Sequence, residues 1–368
     1  DANGPSMYSN PIIVNGLMYF TTPRLDAVAL NAATGEEVWK FVSSEHARDG
    51  KVFRGRSRGV TYWEGEEGKR IFHFVNHKVY ALDAISGKLI TTFGRSGSID
   101  LRLDLGVDSA SASIEVTTPG IVYKNFLIVT SRVPEEYNST PGDVRAYDAV
   151  TGEFKWIFHT VPREGEFGYD TWEWVEGERY GGANPWGGFS VDEKRGWVFF
   201  ATGSPAHDFY GGFRKGTNLF GNCVVALDAA TGKRKWHYQT VHHDIWDYDN
   251  PPAPILVTIR NGNESRDAVV QFTKTGLTFV LDRDTGEPPD DALTPSREDS
   301  DAPRIPAADA AGPEAVVDER CAEPMARARG RGEVPLPASH QLPRRSSKAS
   351  MRPGANDPYG ESTRQSVS

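Results

Sequence analysis

The sequence lacks the features that mark several classes of protein. It has only two cysteines, Cys223 and Cys321, which lie far apart and match no metal or redox spacing, so no disulfide framework is expected. Positive charge is scarce, with 41 Lys and Arg against 50 Asp and Glu, which argues against a nucleic-acid partner. Apolar runs fall far short of the roughly 20 residues of a transmembrane helix. No secretion signal follows Asp1, so any signal or membrane anchor is expected to lie outside this chain.

Aromatic residues become rare well before the end of the chain. All nine tryptophans lie at or before Trp246, and after Phe279 the only aromatic residue is Tyr359. Residues 288–368 are instead rich in Pro, Arg, Ala and Ser, a composition that cannot bury enough apolar surface to offset the entropy of ordering. We therefore expect an ordered domain over residues 1–287 and a disordered tail over residues 288–368. The bias of the tail is also typical of an out-of-frame reading of GC-rich DNA.

One turn motif recurs five times in the body of the chain. Each copy reads Asp or Asn, two further residues, Thr or Ser, and then Gly, and in three copies Trp is the fourth residue after the Gly. The copies are residues 31–35, 83–87, 148–152, 228–232 and 282–286. An alternating apolar stretch precedes each turn and Gly can supply its left-handed residue, so each copy predicts a β-hairpin.

Further strand-like runs lie between the turns, at residues 11–20, 70–75, 120–130, 196–201 and 269–272. Roughly four strands in every 50 to 80 residues, with almost no helical pattern, are typical of the blades of a β-propeller. A single copy of the turn would indicate no more than a generic hairpin. Five copies favour an all-β propeller of about five blades.

The repeated Ala-Leu-Asp-Ala-x-Thr-Gly-x-x-x-Trp pattern resembles the tryptophan-docking motif of quinoprotein dehydrogenases, the enzymes that use pyrroloquinoline quinone (PQQ). Other segments are similar to the glucose dehydrogenase branch of that family and, more loosely, to its alcohol dehydrogenases. They are Arg-Gly-Val at 58–60, Thr-Thr-Pro at 117–119, Gly-Ala-Asn-Pro-Trp at 182–186, His-His-Asp-Ile-Trp-Asp at 242–247 and Lys-Thr-Gly at 274–276. The resemblance covers about residues 5–287. It implies an eight-bladed ring, of which this chain would be a fragment.

The resemblance also implies a function, a PQQ- and calcium-dependent oxidation of a sugar or alcohol hydroxyl in the periplasm, with ubiquinone or cytochrome c as electron acceptor. Asp247 matches the family's catalytic base, and a carboxylate partly shielded from water can have the raised pKa that favours base catalysis. Asp244 and Asp249 are rivals in the same loop, and a turn aspartate is the structural alternative. His242 and His243 are expected to order this loop by hydrogen bonds rather than to bind metal.

Six residues match the cofactor contacts of the family. PQQ carries three carboxylates, which call for cations, and its flat ring calls for an aromatic face. The cations are Arg58, Arg132 and Lys274, the aromatic face is Trp186, and Thr117 and Ser131 are polar contacts. Trp186 lies in a glycine-rich stretch that permits close approach, whereas an ordinary core tryptophan is the alternative.

The calcium ligands implied by the resemblance are Glu135, Ser204 and Asp247. Glu136 could replace its neighbour Glu135 as the ligand, or both could be solvated loop charges. Ser204 stands where relatives have Asn or Thr, and a hydroxyl is a weaker calcium ligand than an amide carbonyl.

The alternative function is a non-catalytic propeller scaffold of the outer-membrane assembly type, because such proteins share the blade repeat. A scaffold has no need to bring a carboxylate, a cation and an indole around one axis. The positions of Glu135, Trp186, Asp247 and Lys274 therefore discriminate between the two functions.

Overall fold

The computed structural model describes residues 7–43, 47–48, 51–52, 55–261 and 264–289. The expected disordered tail lies, apart from its first two residues, outside these described ranges. Within them the chain is almost entirely β-structure, with no α-helix and three short 3-10 segments at Leu103–Leu105, Tyr169–Thr171 and Gly211–Phe213. The described ranges also contain no helix with the length and hydropathy needed to cross a membrane.

The strands form successive antiparallel meanders. The first sheet contains β1 (Ile12–Val14), β2 (Leu17–Thr21), β3 (Ala27–Asn31) and β4 (Glu37–Phe41). A small hairpin, β5 (Ala47–Arg48) and β6 (Lys51–Val52), precedes the second sheet of β7 (Thr61–Gly65), β8 (Gly68–Val75), β9 (Lys78–Asp83) and β10 (Ser98–Asp100). The third sheet contains β11 (Ile121–Tyr123), β12 (Phe126–Val129), β13 (Val144–Asp148) and β14 (Phe154–Phe158).

The fourth sheet contains β15 (Phe189–Asp192), β16 (Trp197–Ala201), β17 (Cys223–Asp228) and β18 (Arg234–Gln239). The fifth has three strands within the described ranges, β19 (Ile255–Asn261), β20 (Glu264–Phe272) and β21 (Thr278–Asp282). Each sheet shares a buried apolar layer with the next one along the chain. Sheets stacked face to face in chain order are propeller blades, so the predicted all-β propeller fold is confirmed.

The repeated turn motif joins each blade to its neighbour. Trp156 of the third sheet donates its indole N–H to the carbonyl of Ala229 in the turn of the fourth, at 3.2 Å. Gly232 in that turn has a φ of +70°, and a Cβ there would lie 2.6 Å from the Trp156 ring. The same contact recurs between Trp39 and Gly87 and between Trp236 and Gly286. The Gly of one blade and the Trp of the preceding blade therefore form a single packing unit.

Two of the strand-like runs differ from the sequence prediction. Residues 11–20 and 120–130 each form two strands joined by a tight turn, rather than one strand. In the first run Asn15 and Gly16 have φ values of +51° and +80°, and in the second Lys124 has a φ of +51°. Positive φ at the centre of a two-residue turn matches the twist of the flanking strands, so these runs fold into hairpins.

His73 provides a prediction about acid stability. The imidazole in β8 is fully buried, with Nε2 2.9 Å from the carbonyl oxygen of Leu25. Burial lowers the pKa of His73 from 6.5 to about 4. Below pH 6.5 the unfolded chain therefore takes up a proton that the folded chain does not, and the free energy of unfolding is expected to fall as the pH decreases from 6.5 towards 4.

Urea unfolding at pH 7.5 and pH 5 measures this effect. His73→Gln is expected to be less stable than the wild type at pH 7.5 but to lose less stability between the two pH values. An equal loss in both proteins would show that His73 does not contribute to the acid sensitivity.

Candidate active site

A cavity of about 290 Å³ lies where loops from four neighbouring sheets meet. In an antiparallel meander the beginning of the first strand and the end of the second lie at the same edge of the sheet. The cavity is lined by the loops that enter β7, β11, β15 and β19 and by those that leave β12, β16 and β20. The meander topology thus gathers segments that are more than 200 residues apart in the sequence.

The cavity brings together most of the residues predicted from the sequence. The lining includes Arg58, Thr117, Arg132, Glu135, Trp186, Ser204, Asp247 and Lys274. Ser131 is the exception, since it is 3% exposed and its hydroxyl accepts a hydrogen bond from Nη2 of the buried Arg145 at 2.9 Å. The structure therefore does not bring Ser131 to the cavity.

Sequence reasoning gave no role to four polar side chains of the lining, namely Tyr8, Arg56, Asn184 and Asp208. Two of them had a usable signal. Arg56 is two positions before Arg58, and alternate residues of an extended segment share a face. Asp208 lies in the loop that begins after β16 and also carries Ser204.

Lys274 connects two carboxylates of the loop that precedes β19. Its ammonium group donates to Oδ2 of Asp247 and to Oδ2 of Asp249, both at 2.8 Å. Asp249 also accepts the indole N–H of Trp186 at 3.1 Å and the backbone N–H of Ser204 at 2.7 Å. Asp249 is therefore occupied by structural contacts, whereas Lys274 is the only donor that holds the side chain of Asp247 in the described ranges.

Gly203 makes this close arrangement possible. A Cβ on Gly203 would lie 2.5 Å from Oδ1 of Asp249 and 3.3 Å from Nε1 of Trp186. Any side chain at this position would force the carboxylate and the indole away from the loop. The small residue before Ser204 is thus required for the contact between Trp186 and Asp249.

Asp244 organises the loop that carries Asp247. The Asp244 carboxylate is 2% exposed and accepts the backbone N–H groups of Trp246 at 2.9 Å and Tyr248 at 2.6 Å. It also accepts hydrogen bonds from the hydroxyl of Ser204 and, at 2.9 Å, from the amide of Asn222. Since Asp244 is buried and fully bonded, the geometry favours Asp247 over both rival carboxylates as the base.

His243 also helps to hold this loop. Its Nδ1 lies 2.8 Å from the carbonyl oxygen of Gly216, and burial lowers the pKa of the ring below its ordinary value. Asp247 itself has a φ of +57°, a left-handed conformation that Asp tolerates better than most residues. The backbone bonds to Asp244 on either side of Asp247 maintain that conformation.

Burial and neighbouring charges together shift the pKa values of the ionisable side chains in the cavity. Burial raises the pKa of Asp247, and the charge of Asp249 adds to this, while the hydrogen bond from Lys274 opposes it. Burial alone would lower the pKa of Lys274, but its bonds to the two carboxylates outweigh burial and raise it. Burial and the charges of Asp249, Asp247 and Glu135 raise the pKa of Asp208 to about 8.

Arginines line the other side of the cavity. Arg58 donates to the hydroxyls of Thr118 at 2.9 Å and Thr117 at 3.3 Å, and its guanidinium lies 5.5 Å from the ring centre of Trp186. Burial, with the neighbouring charge of Arg56, lowers the pKa of Arg58. Neither Arg56 nor Arg58 has a carboxylate partner in the described part of the chain. This pair of cations is suited to bind an anionic ligand.

Comparison with known proteins identifies the family. Residues 1–300 match the family model described as "PQQ: Glucose/ethanol/alcohol dehydrogenase, beta-propeller domain". The chain belongs to the quinoprotein dehydrogenase family. The resemblance inferred from the motifs is therefore confirmed.

Named relatives of this quinoprotein include the quinate/shikimate dehydrogenase (quinone) of Acinetobacter baylyi, which is 31% identical over 316 residues, or 78% of this chain and 38% of the relative. Quinoprotein glucose dehydrogenase A of Acinetobacter calcoaceticus is 31% identical over 312 residues, which cover 76% of this chain and 37% of the relative. This quinoprotein thus spans less than two fifths of the length of these curated relatives.

Solved structures of the family resemble this fold. The quinohemoprotein alcohol dehydrogenase of Pseudomonas putida matches with a TM-score of 0.66 and 29% identity, over 77% of this chain and 41% of that one. The quinohemoprotein alcohol dehydrogenase of Comamonas testosteroni matches with a TM-score of 0.65 and 28% identity, over 77% of this chain and 42% of that one.

The acidic side of the quinoprotein cavity has the donor chemistry of a calcium site. Carboxylate oxygens are the ligands that Ca²⁺ prefers, and four carboxylates line the cavity. Within the described ranges, however, no three His, Cys, Asp or Glu side chains are grouped so that they could hold an ion by themselves. The Glu135 side chain is 60% exposed and pairs with Arg132 at 3.3 Å, so this carboxylate is held only by a surface ion pair.

Proposed function

We propose that this chain carries the cofactor and catalytic site of a PQQ- and calcium-dependent dehydrogenase that oxidises a sugar or alcohol hydroxyl. The main support for this proposal is that Asp247, Lys274 and Trp186 line one cavity. Two arginines without a carboxylate partner in the described ranges line the same cavity. Non-catalytic packing gives no reason for a half-buried carboxylate, an ammonium group and an indole to share an open cavity. Membership of the quinoprotein family supports the same assignment.

The arginines and the indole fit PQQ. Arg56 and Arg58 would bind carboxylates of the cofactor, because both lack an acidic partner in the described ranges. Trp186 would offer an aromatic face, held in position by its N–H bond to Asp249. PQQ, when bound, supplies a quinone that accepts two electrons from the substrate. Lys274 would stabilise negative charge that develops next to its ammonium group.

Asp247 would accept the proton of the substrate hydroxyl. The carboxylate is partly exposed to the cavity, and its raised pKa makes it a better base than an aspartate in water. Lys274 keeps Asp247 ionised and fixes its orientation through the 2.8 Å bond. Asp244 acts through the loop backbone and so positions the base.

A calcium ion would be held by Glu135 and Asp247, with Ser204 as the third predicted ligand. The excess of carboxylates over cations on this side of the cavity supports a divalent cation, whose Lewis acidity would polarise an oxygen bound beside it. Electrons would pass on to ubiquinone or cytochrome c, and we place the reaction in the periplasm. Residues 1–287 would form the propeller part of the enzyme.

Loading the chain with PQQ and Ca²⁺ tests the proposed function. We expect the absorbance of the cofactor to be retained after desalting, and a redox dye to be reduced on addition of glucose, glycerol or ethanol. Retention without dye reduction would limit the proposal to cofactor binding. A chain that neither retains PQQ nor reduces dye would favour the non-catalytic scaffold.

Trp186→Ala is expected to weaken PQQ binding about 10- to 100-fold, since an aromatic stacking contact contributes about 1–3 kcal/mol. Quenching of tryptophan fluorescence during titration with PQQ measures the affinity. Trp186→Phe is the matched control, because it keeps an aromatic face and loses only the N–H bond to Asp249. Equal affinities of the alanine variant and the wild type would contradict stacking at this position.

A further inference from the structure

Asp208 is a cavity residue for which neither the sequence motif nor the family resemblance provides a role. It lies in the loop after β16, is 8% exposed and lines the cavity. Its backbone carbonyl accepts the N–H of Asp247 at 3.2 Å, so the two residues are held next to each other. Yet its carboxylate makes no hydrogen bond or ion pair with any residue in the described ranges, whereas Asp247 and Asp249 both bind Lys274.

The surroundings of Asp208 do not neutralise it. The carboxylates of Asp247, Asp249 and Glu135 act on Asp208, and the opposing charge is Arg214. The Arg214 guanidinium donates its hydrogen bonds to the side chain of Asn218 and to the backbone carbonyls of His207 and Asp244, and none goes to the Asp208 carboxylate. A carboxylate in this position is costly to bury unless a cation binds beside it.

Ser204 is poorly placed to supply the third ligand of such a cation. Its hydroxyl donates to Asp244 and accepts a hydrogen bond from the amide of Asn222 at 3.4 Å. Because of these two hydrogen bonds, the Ser204 hydroxyl oxygen has little capacity left to coordinate a cation. Four residues later in the same loop, Asp208 offers two oxygens that have no hydrogen-bond partner in the described ranges, and Ca²⁺ prefers a carboxylate to a neutral hydroxyl.

We propose that Asp208 is a carboxylate ligand of the calcium ion, together with Glu135 and Asp247, and that it replaces the hydroxyl of Ser204 in this role. The inference rests on the proposed function, since it assigns a further residue to the same metal site. Glu135 reaches the ion by leaving its exposed ion pair with Arg132. Asp208 and Asp247 are already adjacent through their backbone bond.

Calorimetric titration of the full chain with Ca²⁺ alone tests this assignment. Asp208→Asn keeps the shape of the side chain and removes its charge, and we expect it to weaken Ca²⁺ binding by about tenfold or more. Ser204→Ala is expected to change the affinity by less than about threefold. Glu164→Gln is the matched control, because it removes one charge from an exposed residue that does not line the cavity, and it is expected to leave the affinity within about twofold of the wild type.

PQQ binding without Ca²⁺ and the thermal unfolding midpoint show whether Asp208→Asn remains folded. Unchanged Ca²⁺ affinity in a folded Asp208→Asn variant would overturn the inference, as would an equal loss in Ser204→Ala. If the wild type binds PQQ but no Ca²⁺, both the inference and the metal part of the proposed function fail while the cofactor assignment stands. Failure to bind either ligand would reject the proposed function itself.

Discussion

Replacing Trp156 by alanine is expected to lower the free energy of unfolding by about 3–5 kcal/mol, as for other large aromatic residues removed from a core. The indole fills the contact between the third and fourth sheets and donates to the carbonyl of Ala229. The turn glycine Gly232 packs directly against the ring. Alanine would leave a cavity between two blades and an unpaired carbonyl in the turn.

Chemical denaturation of the full chain measures this loss. Trp246→Ala is the matched control, because Trp246 is 65% exposed and is expected to change stability by less than about 0.5 kcal/mol. Gly232→Ala is expected to be destabilising as well, since its Cβ would collide with Trp156 in a backbone conformation that alanine disfavours. A loss below about 1 kcal/mol in Trp156→Ala would contradict blade docking through this residue.

Asp247→Asn is expected to reduce the rate of dye-linked turnover by about 100- to 10,000-fold, the usual contribution of a general base. Asparagine retains an oxygen that can accept the hydrogen bond from Lys274, so the loop and the cofactor site should be preserved. The variant is therefore expected to lower kcat while its affinity for PQQ stays close to that of the wild type. Steady-state turnover and PQQ titration on the same preparation separate the two effects.

Asp249→Asn distinguishes the base from its neighbour. Asp249 holds Trp186, Ser204 and Lys274, so its replacement is expected to weaken PQQ binding more than Asp247→Asn does. A variant of Asp249 that binds PQQ normally but loses turnover would identify Asp249 as the base instead.

The pH profile of turnover provides a further test of Asp247. The base must be ionised to accept a proton, so turnover is expected to fall as the pH decreases through the pKa of Asp247. Burial raises that pKa above the ordinary aspartate value of 3.8 in the metal-free chain, and a bound Ca²⁺ would shift it in the opposite direction. Asp247→Asn should abolish this acidic limb of the profile.

The repeat made the fold predictable. An Asp-x-x-Thr-Gly turn requires a glycine in the left-handed conformation. The tryptophan that follows at a fixed spacing packs against the turn glycine of the next blade. Both requirements are visible in the sequence as residue types at short spacings. The Asn15-Gly16 turn carried a signal that the prediction did not use, since Asn-Gly is a preferred pair in two-residue hairpin turns, whereas the turn at Lys124 has no such pair. One long strand and a hairpin with a two-residue turn can have the same alternation of apolar residues. The φ values of the turn residues distinguish them.

Most of the cavity lining was predictable for a similar reason. Asp247, Trp186 and Lys274 each lie within a distinctive run of residues. Asp208 and Arg56 lie near predicted site residues in the sequence but belong to no distinctive run of their own, so their positions in the cavity identify them. Conversely, Ser131 follows a strand end as a cofactor contact would, yet the buried Arg145 holds it away from the cavity.

The sequence by itself determined the β-propeller architecture, the quinoprotein resemblance and the identity of the candidate base, because these depend on residue types at short and regular spacings. Only the tertiary structure decided that Asp244 is buried away from the cavity, that Lys274 binds both Asp247 and Asp249, and that the Asp208 carboxylate has no hydrogen-bond partner among the described residues. Whether a side chain is buried, and whether its hydrogen-bonding groups have partners, depends on contacts between segments that are distant in the chain. Their effects cannot be inferred until the antiparallel sheets bring those segments to one edge.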